Sequence, residues 1–311
     1  MTEFTWRDGE RVIRFGPLGP APLHEPFLLL TTERAALAEL TAAATEVVYV
    51  PPGRVDEISA ELLARHSFAS DLLLVALGGG RVVDTTKAIA GAVGARCAAI
   101  PTTLSGAEMT GFHRTPAGVE GARLVRPALV LADPELMASA PPASLGASAM
   151  NALAHAMEAL YTPLANPVSS MAALRAAALL ATDDPESLAL GAVLAGYASG
   201  CTGIAVHHAL CQTLVRDAGT PHAETNAVML PHSARLMEGR APEAVRAFRA
   251  ALPTTLDTLA ARSGHSRLSS LGISEQQLPG VAETVAAHPY AANTPNPPGP
   301  EELLAVLRAA L

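Results

Sequence analysis

The chain has 311 residues, half of them apolar and 16% charged, with a net charge of −8. That balance excludes wholesale disorder and allows one large core or two domains of ordinary size. Without a basic block, it argues against nucleic acid as a partner. No apolar run approaches the roughly 20 residues that span a bilayer, and the polar, alternating start has no apolar signal core. Cys97, Cys201 and Cys211 make an odd set with no CxxC spacing, which fits a reducing compartment rather than a disulfide framework or zinc knuckle. The expectation is a cytoplasmic protein that engages no membrane.

Taken in order, residues 10–16 read as a strand ending in a glycine turn, followed by Pro17 and Pro20. FLLLT at 27–31 is a short continuous apolar run of the kind found in buried parallel strands. Residues 32–45 pattern as a helix, 46–50 as a β-branched strand and 55–66 as an amphipathic helix. Residues 71–77 form the clearest strand, running into Gly78, Gly79 and Gly80 and then a helix, with further strands at 98–101 and 128–131. Strands alternating with helices of this length imply βαβ units and a parallel sheet.

Beyond about residue 140 the extended runs stop. Alanine- and leucine-rich helices are expected at 144–160, 167–181, 186–214, 226–238 and 242–263, then a proline-rich surface loop at 288–300 and a last helix at 301–311. The fold class is therefore α/β plus all-α: a Rossmann-like parallel-sheet domain at 1–142 and a helical domain at 143–311, with the substrate cleft expected between them.

A strand that ends in three glycines and feeds a helix prepares an anion site, because glycine permits close approach and the helix start offers free N–H groups. The spacing is not GxGxxG, so the common dinucleotide fingerprint is absent. Gly78, Gly79, Gly80, Arg81 and Asp84 are the candidate cofactor contacts on this side. Asp84 is also open to a purely structural reading, as a first-turn carboxylate complementing the helix dipole. Thr102 and Thr103 add hydroxyls after the next strand, in a loop where Ser105 and Glu108 have capping-box spacing. Of 21 cationic side chains only Lys87 is a lysine, which reads either as function or as compositional drift.

The segment 206–232 holds four of the ten histidines: His207, His208, His222 and His232. Upstream, Asn151 and His155 are four residues apart and so share one helix face. His207 and His208 point to different faces, so at most one of them belongs to a pocket. Glu158 and Tyr161 read as structural.

Together these segments resemble the iron-containing alcohol dehydrogenase family, and within it the maleylacetate reductases. The resemblance rests on GGGRVVDTTKAIA (78–90), IPTTLSGAEMT (100–110), DPEL (133–136), NALAHAMEALYTPLANP (151–167), HHALCQTL (207–214) and PHAETNAVMLPH (221–232). AAHPYAANTPNP (286–297) is similar to a terminal motif of the reductase branch. The resemblance implies a dehydroquinate synthase-like fold, an NAD(H) or NADP(H) cofactor, a small-molecule substrate, a homodimer, and a place in aromatic compound catabolism. Glu33 would favour NAD and Arg34 NADP, so the choice stays open.

In metal-dependent members, an Asp and three His hold iron or zinc. The matching positions are Asn151, His155, His208 and His222, and they would be the ligands if a metal is bound. Asn151 departs from that pattern as the reductases do, and a neutral amide oxygen is a weak ligand for a transition metal. Gln212 stands where many relatives have a further His, and Arg81 where Ser is more usual. The resemblance thus implies an NAD(P)H-dependent, metal-independent reductase of maleylacetate or a similar unsaturated oxo acid. His208 is expected as first proton donor and His222 as second, with His155 and Asn151 completing the polar wall. His113, Arg114 and Lys87 are the candidate anchors for the substrate's carboxylates. Two alternatives stand beside it: an Fe- or Zn-dependent alcohol dehydrogenase or aldehyde reductase, and a member that has lost hydride transfer and serves as a lyase or binding protein.

Overall fold

The computed structural model describes residues 3–19 and 22–311; Pro20, read above as part of the break after the first strand, lies outside them. The chain divides into two compact units, Met1–Ser139 and Ala140–Leu311.

The first unit is built on a seven-stranded sheet in the order β1-β2-β7-β6-β5-β3-β4. β1 (Phe4–Asp8) and β2 (Arg11–Phe15) form an antiparallel hairpin around Gly9, whose φ is 61°. β1 is an element the sequence reading missed, although Asp-Gly between apolar alternations is a hairpin signal. All other neighbours are parallel: β3 (Phe27–Thr31), β4 (Glu46–Tyr49), β5 (Leu73–Gly78), β6 (Cys97–Pro101) and β7 (Leu129–Ala132). Every residue of β3, β5 and β6 is buried. Side-chain alternation sends Leu28, Leu74 and Ala76 to one core with α2 (below), and Leu29, Val75 and Leu77 to the other.

The crossover helices are α1 (Ala38–Ala43), α2 (Val55–Arg65) and α3 (Gly80–Val93), and the single-turn α4 (Pro134–Met137) follows the last strand. The helix expected over 32–45 is shortened because Thr32 captures the chain: its carbonyl accepts Ala35 N and Ala36 N at 3.0 Å, and its hydroxyl accepts Ala35 N at 3.3 Å. From β3 the chain steps outward to β4, then returns past β3 to β5 and onward to β6. The direction reverses between β3 and β5, and ligands of open α/β sheets bind outside the carboxyl ends of strands at such a point. Thr31 and Gly78 end those two strands.

The second unit consists of α5 (Pro142–Glu158), α6 (Pro167–Leu180), α7 (Pro185–Thr202), α8 (Val206–Ala218), α9 (His222–Glu238), α10 (Pro242–Ala251), α11 (Leu256–Ala261), α12 (Leu278–Ala286) and α13 (Pro300–Ala310). Five of these begin directly on a proline, at α5, α6, α7, α10 and α13, where its missing N–H costs nothing. Small residues let the helices close up: Ala147, Ala152, Ala154 and Ala156 of α5 are all buried.

Two expected helices are each two. The run 186–214 breaks at Gly203 (φ 81°, ψ −173°), a backbone region suited to glycine, and α7 and α8 diverge there by 102°. The run 242–263 breaks after α10, where Leu252 turns to extended backbone ahead of Pro253. α9 starts four residues earlier than expected, at His222, and α12 was not foreseen. Among the described residues no single helix is long and apolar enough to cross a membrane.

The first unit also buries a carboxyl. Glu108, in the 3-10 turn Ala107–Met109, is 0% exposed, and neither oxygen has a hydrogen-bond partner among the described residues. Burial pushes the group up from about 4.5 to about 7, against the opposing charges of Lys87 and Arg11. The folded state therefore holds a proton that the unfolded chain releases, so this contribution is present below about pH 4.5 and lost as pH rises through about 7. Relative to Glu108→Gln, the wild type should lose stability across that window, by on the order of 3 kcal/mol at most. Urea denaturation of both proteins at the two ends checks this, and parallel pH dependences would refute it.

Candidate active site

At the edge of the first unit, Gly79 caps α3 and Gly80 opens it. The N–H groups of the first turn thus lack intrahelical acceptors and favour an anion. A Cβ on Gly79 would stand 2.9 Å from Thr103 Cγ2, and one on Gly80 would stand 3.1 Å from Ser105 Oγ. Glycine is therefore demanded by the loop after β6, which packs on the start of the helix. Thr102 N donates to Gly78 O at 3.0 Å, and the Thr103 hydroxyl is buried without a hydrogen-bond partner among the described residues. The capping box expected of Ser105 and Glu108 does not form; Gly106 caps that turn at φ 72°. Arg81 is exposed. Asp84 falls past the first turn, and its carboxylate lies 2.7 Å from Lys87 Nζ, which ties it to a structural partner.

In the second unit, α5 carries Asn151, His155 and Glu158 on one face, at spacings of four and three. Glu158 is fully buried. Its Oε1 accepts His207 N at 2.7 Å and His208 N at 3.3 Å, and its Oε2 pairs with His208 Nδ1 at 2.6 Å. α8 begins at Ala205, which offers no capping side chain, so the carboxylate of a different helix does that work. The tail helps, since Val206 N donates to Thr294 Oγ1 at 3.1 Å and Asn293 Nδ2 donates to Ile204 O at 2.9 Å.

Burial pushes the Glu158 carboxyl upward, yet backbone N–H groups and the His208 ring all converge on it, and the ionised form accepts them all. Burial, with His222 nearby, pushes His208 down to about 3. The neutral ring therefore keeps its proton on Nδ1, toward Glu158, and Nε2 carries a lone pair. That atom is buried and has no partner among the described residues. His208 thus presents an acceptor at Nε2, which departs from the expectation of His208 as first proton donor. Glu158, which sequence reading set aside as structural, is the side chain on which these contacts converge, and its spacing three after His155 was visible.

A second network backs the first. His207 is 0% exposed, with Nδ1 at 2.7 Å from Ser233 Oγ and Nε2 at 2.9 Å from Asn226 Oδ1. Asn226 Nδ2 in turn donates to His222 O at 2.8 Å. Burial, then the neighbouring His208, lowers His207 to about 4, so this ring is neutral and spent on structure. His222, the first residue of α9, is exposed.

Two of the expected carboxylate anchors are occupied elsewhere. Lys87 is buried, and its Nζ donates to Ala107 O, Thr110 O and Phe112 O at 2.9, 3.2 and 2.8 Å. His113 Nε2 accepts Val125 N at 3.0 Å and its Nδ1 donates to Arg114 O at 3.0 Å; with burial lowering its pKa, it is a neutral loop fastener. Arg114 remains exposed, 3.8 Å from Asp56.

The metal ligand set does not fit this arrangement. His155 and His208 stack with centroids 4.2 Å apart and planes 21° from parallel, whereas ligands to one ion must aim their lone pairs at a common point. Among the described residues no three His, Cys, Asp or Glu side chains are placed to hold an ion. Asn151 adds no charge to offset the desolvation of one.

Residues 31–141 match the model of the iron-containing alcohol dehydrogenases, and residues 146–311 match that of the C-terminal part of the Fe-containing alcohol dehydrogenase family. The chain is 36% identical over 241 residues to maleylacetate reductase 1 of Rhodococcus opacus, covering 70% of this chain and 67% of that protein. It is 33% identical over 302 residues to maleylacetate reductase of Sphingobium indicum, covering 87% and 84%. The crystal structure of maleylacetate reductase from Rhizobium sp. strain MTP-10005 superposes with a TM-score of 0.78 at 30% identity, over 92% of this chain and 89% of the other. The chain is an oxidoreductase belonging to the iron-containing alcohol dehydrogenase family, in its maleylacetate reductase branch.

Proposed function

We propose that this protein is an NAD(P)H-dependent reductase of maleylacetate or a similar unsaturated oxo acid, and that it needs no metal. The observation that carries the reading is the buried Glu158–His208 pair stacked against His155, beside an amide, Asn151, where a metal site would want a carboxylate. The N-terminus of α3 and the Thr103 hydroxyl suit the diphosphate of a dinucleotide, with Arg81 at its edge. The bound nicotinamide supplies hydride to the carbon–carbon double bond.

Hydride addition to a double bond conjugated with a carbonyl builds negative charge on oxygen, and the protein must stabilise that charge and deliver a proton. The amide N–H of Asn151 is the donor for the oxygen. His208 Nε2, held as an acceptor, takes a hydrogen bond from a water molecule. His222 delivers the proton: it is exposed, so solvent recharges it. It also opens α9. Arg114 is the remaining cationic anchor for a substrate carboxylate.

The direct assay mixes purified protein with maleylacetate and NADH or NADPH and follows nucleotide oxidation and 3-oxoadipate formation. Turnover with maleylacetate is expected; turnover of simple aldehydes or alcohols with none of maleylacetate would contradict the reading. Glu158→Gln keeps the side-chain size and an oxygen for the N–H groups of residues 207 and 208, but turns an NH₂ toward His208 Nδ1 and so drives that ring's proton to Nε2. It should lower kcat by about 100-fold while leaving nucleotide affinity intact, in line with the cost of losing the group that orients a site histidine. A wild-type kcat in that variant would show that the carboxylate does not organise the site.

A further inference from the structure

We propose that Lys87 and Arg11 are positioning residues of the nucleotide site. From two sides they hold the backbone of residues 107–112, and so fix the hydroxyl loop 102–105 against the start of α3. The inference rests on the reading of that helix start as the nucleotide site.

Lys87 lies two turns along α3 and is 0% exposed. Its Nζ lies within hydrogen-bond reach of three backbone carbonyls, those of Ala107, Thr110 and Phe112, and pairs with the Asp84 carboxylate of the same helix at 2.7 Å. Arg11 comes from β2, on another strand of the same sheet, and is 8% exposed. Its Nη2 donates to Glu108 O at 3.1 Å, its Nε to Pro127 O at 2.9 Å, and its Nη1 to Met109 O at 3.4 Å and to the Asp8 carboxylate at 3.2 Å. The two cations thus take the carbonyls of residues 107, 108, 109, 110 and 112, in a stretch that belongs to no strand. Buried carbonyls without such partners are costly. The Glu108 carboxyl lies in the same stretch, and neither of its oxygens accepts a hydrogen bond among the described residues. The cations therefore direct their N–H groups to the backbone rather than to that side chain.

The strap continues directly from the loop whose Thr103 and Ser105 lie within van der Waals reach of Gly79 and Gly80. Because Lys87 stands on the helix that Gly80 opens, one element carries both the free N–H groups and the cation that holds the neighbouring hydroxyl loop. This geometry also accounts for the chain's only lysine among 21 cationic side chains. A compact ammonium can aim three donors at three carbonyls around it, whereas a planar guanidinium cannot. Arginine at this position should therefore fail to substitute.

The test is fluorescence titration of wild type, Lys87→Met, Lys87→Arg and Arg11→Met with NADH and NADPH. It is combined with hydrogen exchange over residues 102–112 and steady-state kinetics. Each variant is expected to weaken nucleotide binding on the order of tenfold or more, to exchange faster in that segment, and to raise KM for the nucleotide more than it lowers kcat. A merely structural role would lower the unfolding temperature and leave the affinity of the folded fraction unchanged. If Lys87→Met does not accumulate as folded protein, Arg11→Met gives the same readout with α3 untouched. Wild-type affinity in the folded Lys87 variants, or in Arg11→Met, overturns the inference alone. Failure of the wild type to bind either nucleotide overturns it together with the functional reading.

Discussion

The carboxylate of Glu158 is the contact that holds the start of α8 and the ring of His208 together. α8 begins at a sharp break in the chain with an alanine at its cap position, so its first N–H groups have no local acceptor. A charge from α5 meets them, together with the hydroxyl of Thr294 from the tail. A buried carboxylate would be untenable alone. Here it is balanced by the positive end of a helix and by an imidazole N–H. Removing either partner of such a buried pair leaves an uncompensated group, typically at a cost of about 3–5 kcal/mol. The same contact that closes α8 also decides which nitrogen of His208 carries the proton. The helix start and the ring's tautomer are thus set by one side chain.

Around that contact the site sorts its histidines by environment. His207 is sealed between Ser233 and Asn226 and is neutral. His208 is neutral and presents a lone pair, and His155 lies flat against it. His222 alone of the four is exposed, and Asn226 links its backbone to the His207 network. Rings with one sequence signature thus stand in four different environments: sealed, accepting, stacked and exposed. In the first unit, two buried cations perform a comparable task on carbonyls, at the sheet edge where the topology reverses.

Much of this was legible from residues. The apolar run at 27–31 and most of the one expected at 71–77, observed as Leu73–Gly78, are buried strands because both faces of a parallel sheet are covered, and the four-residue spacing of Asn151 and His155 put them on one face. What escaped has physical reasons. The α7–α8 break sits inside an unbroken apolar stretch, and only Gly203 marks it; a lone glycine does not distinguish a break from close packing such as that of Gly191 on Leu180. Glu158 reads like any helical surface acid until α8 is placed beside it, a contact about fifty residues distant in sequence. Lys87 and His113 look like free cationic groups because sequence does not reveal that backbone groups have claimed their nitrogens.

The lone pair on His208 Nε2 is what a metal would also seek, so the account turns on what that atom meets during turnover. The stacked His155 and the neutral Asn151 argue for water rather than an ion. The most direct measurement is the rate of maleylacetate-dependent NADH or NADPH oxidation after exhaustive chelation, with elemental analysis of the same sample. The account predicts undiminished turnover in protein holding far less than one equivalent of iron or zinc. Loss of turnover on chelation, restored by Fe(II) or Zn(II), would contradict it.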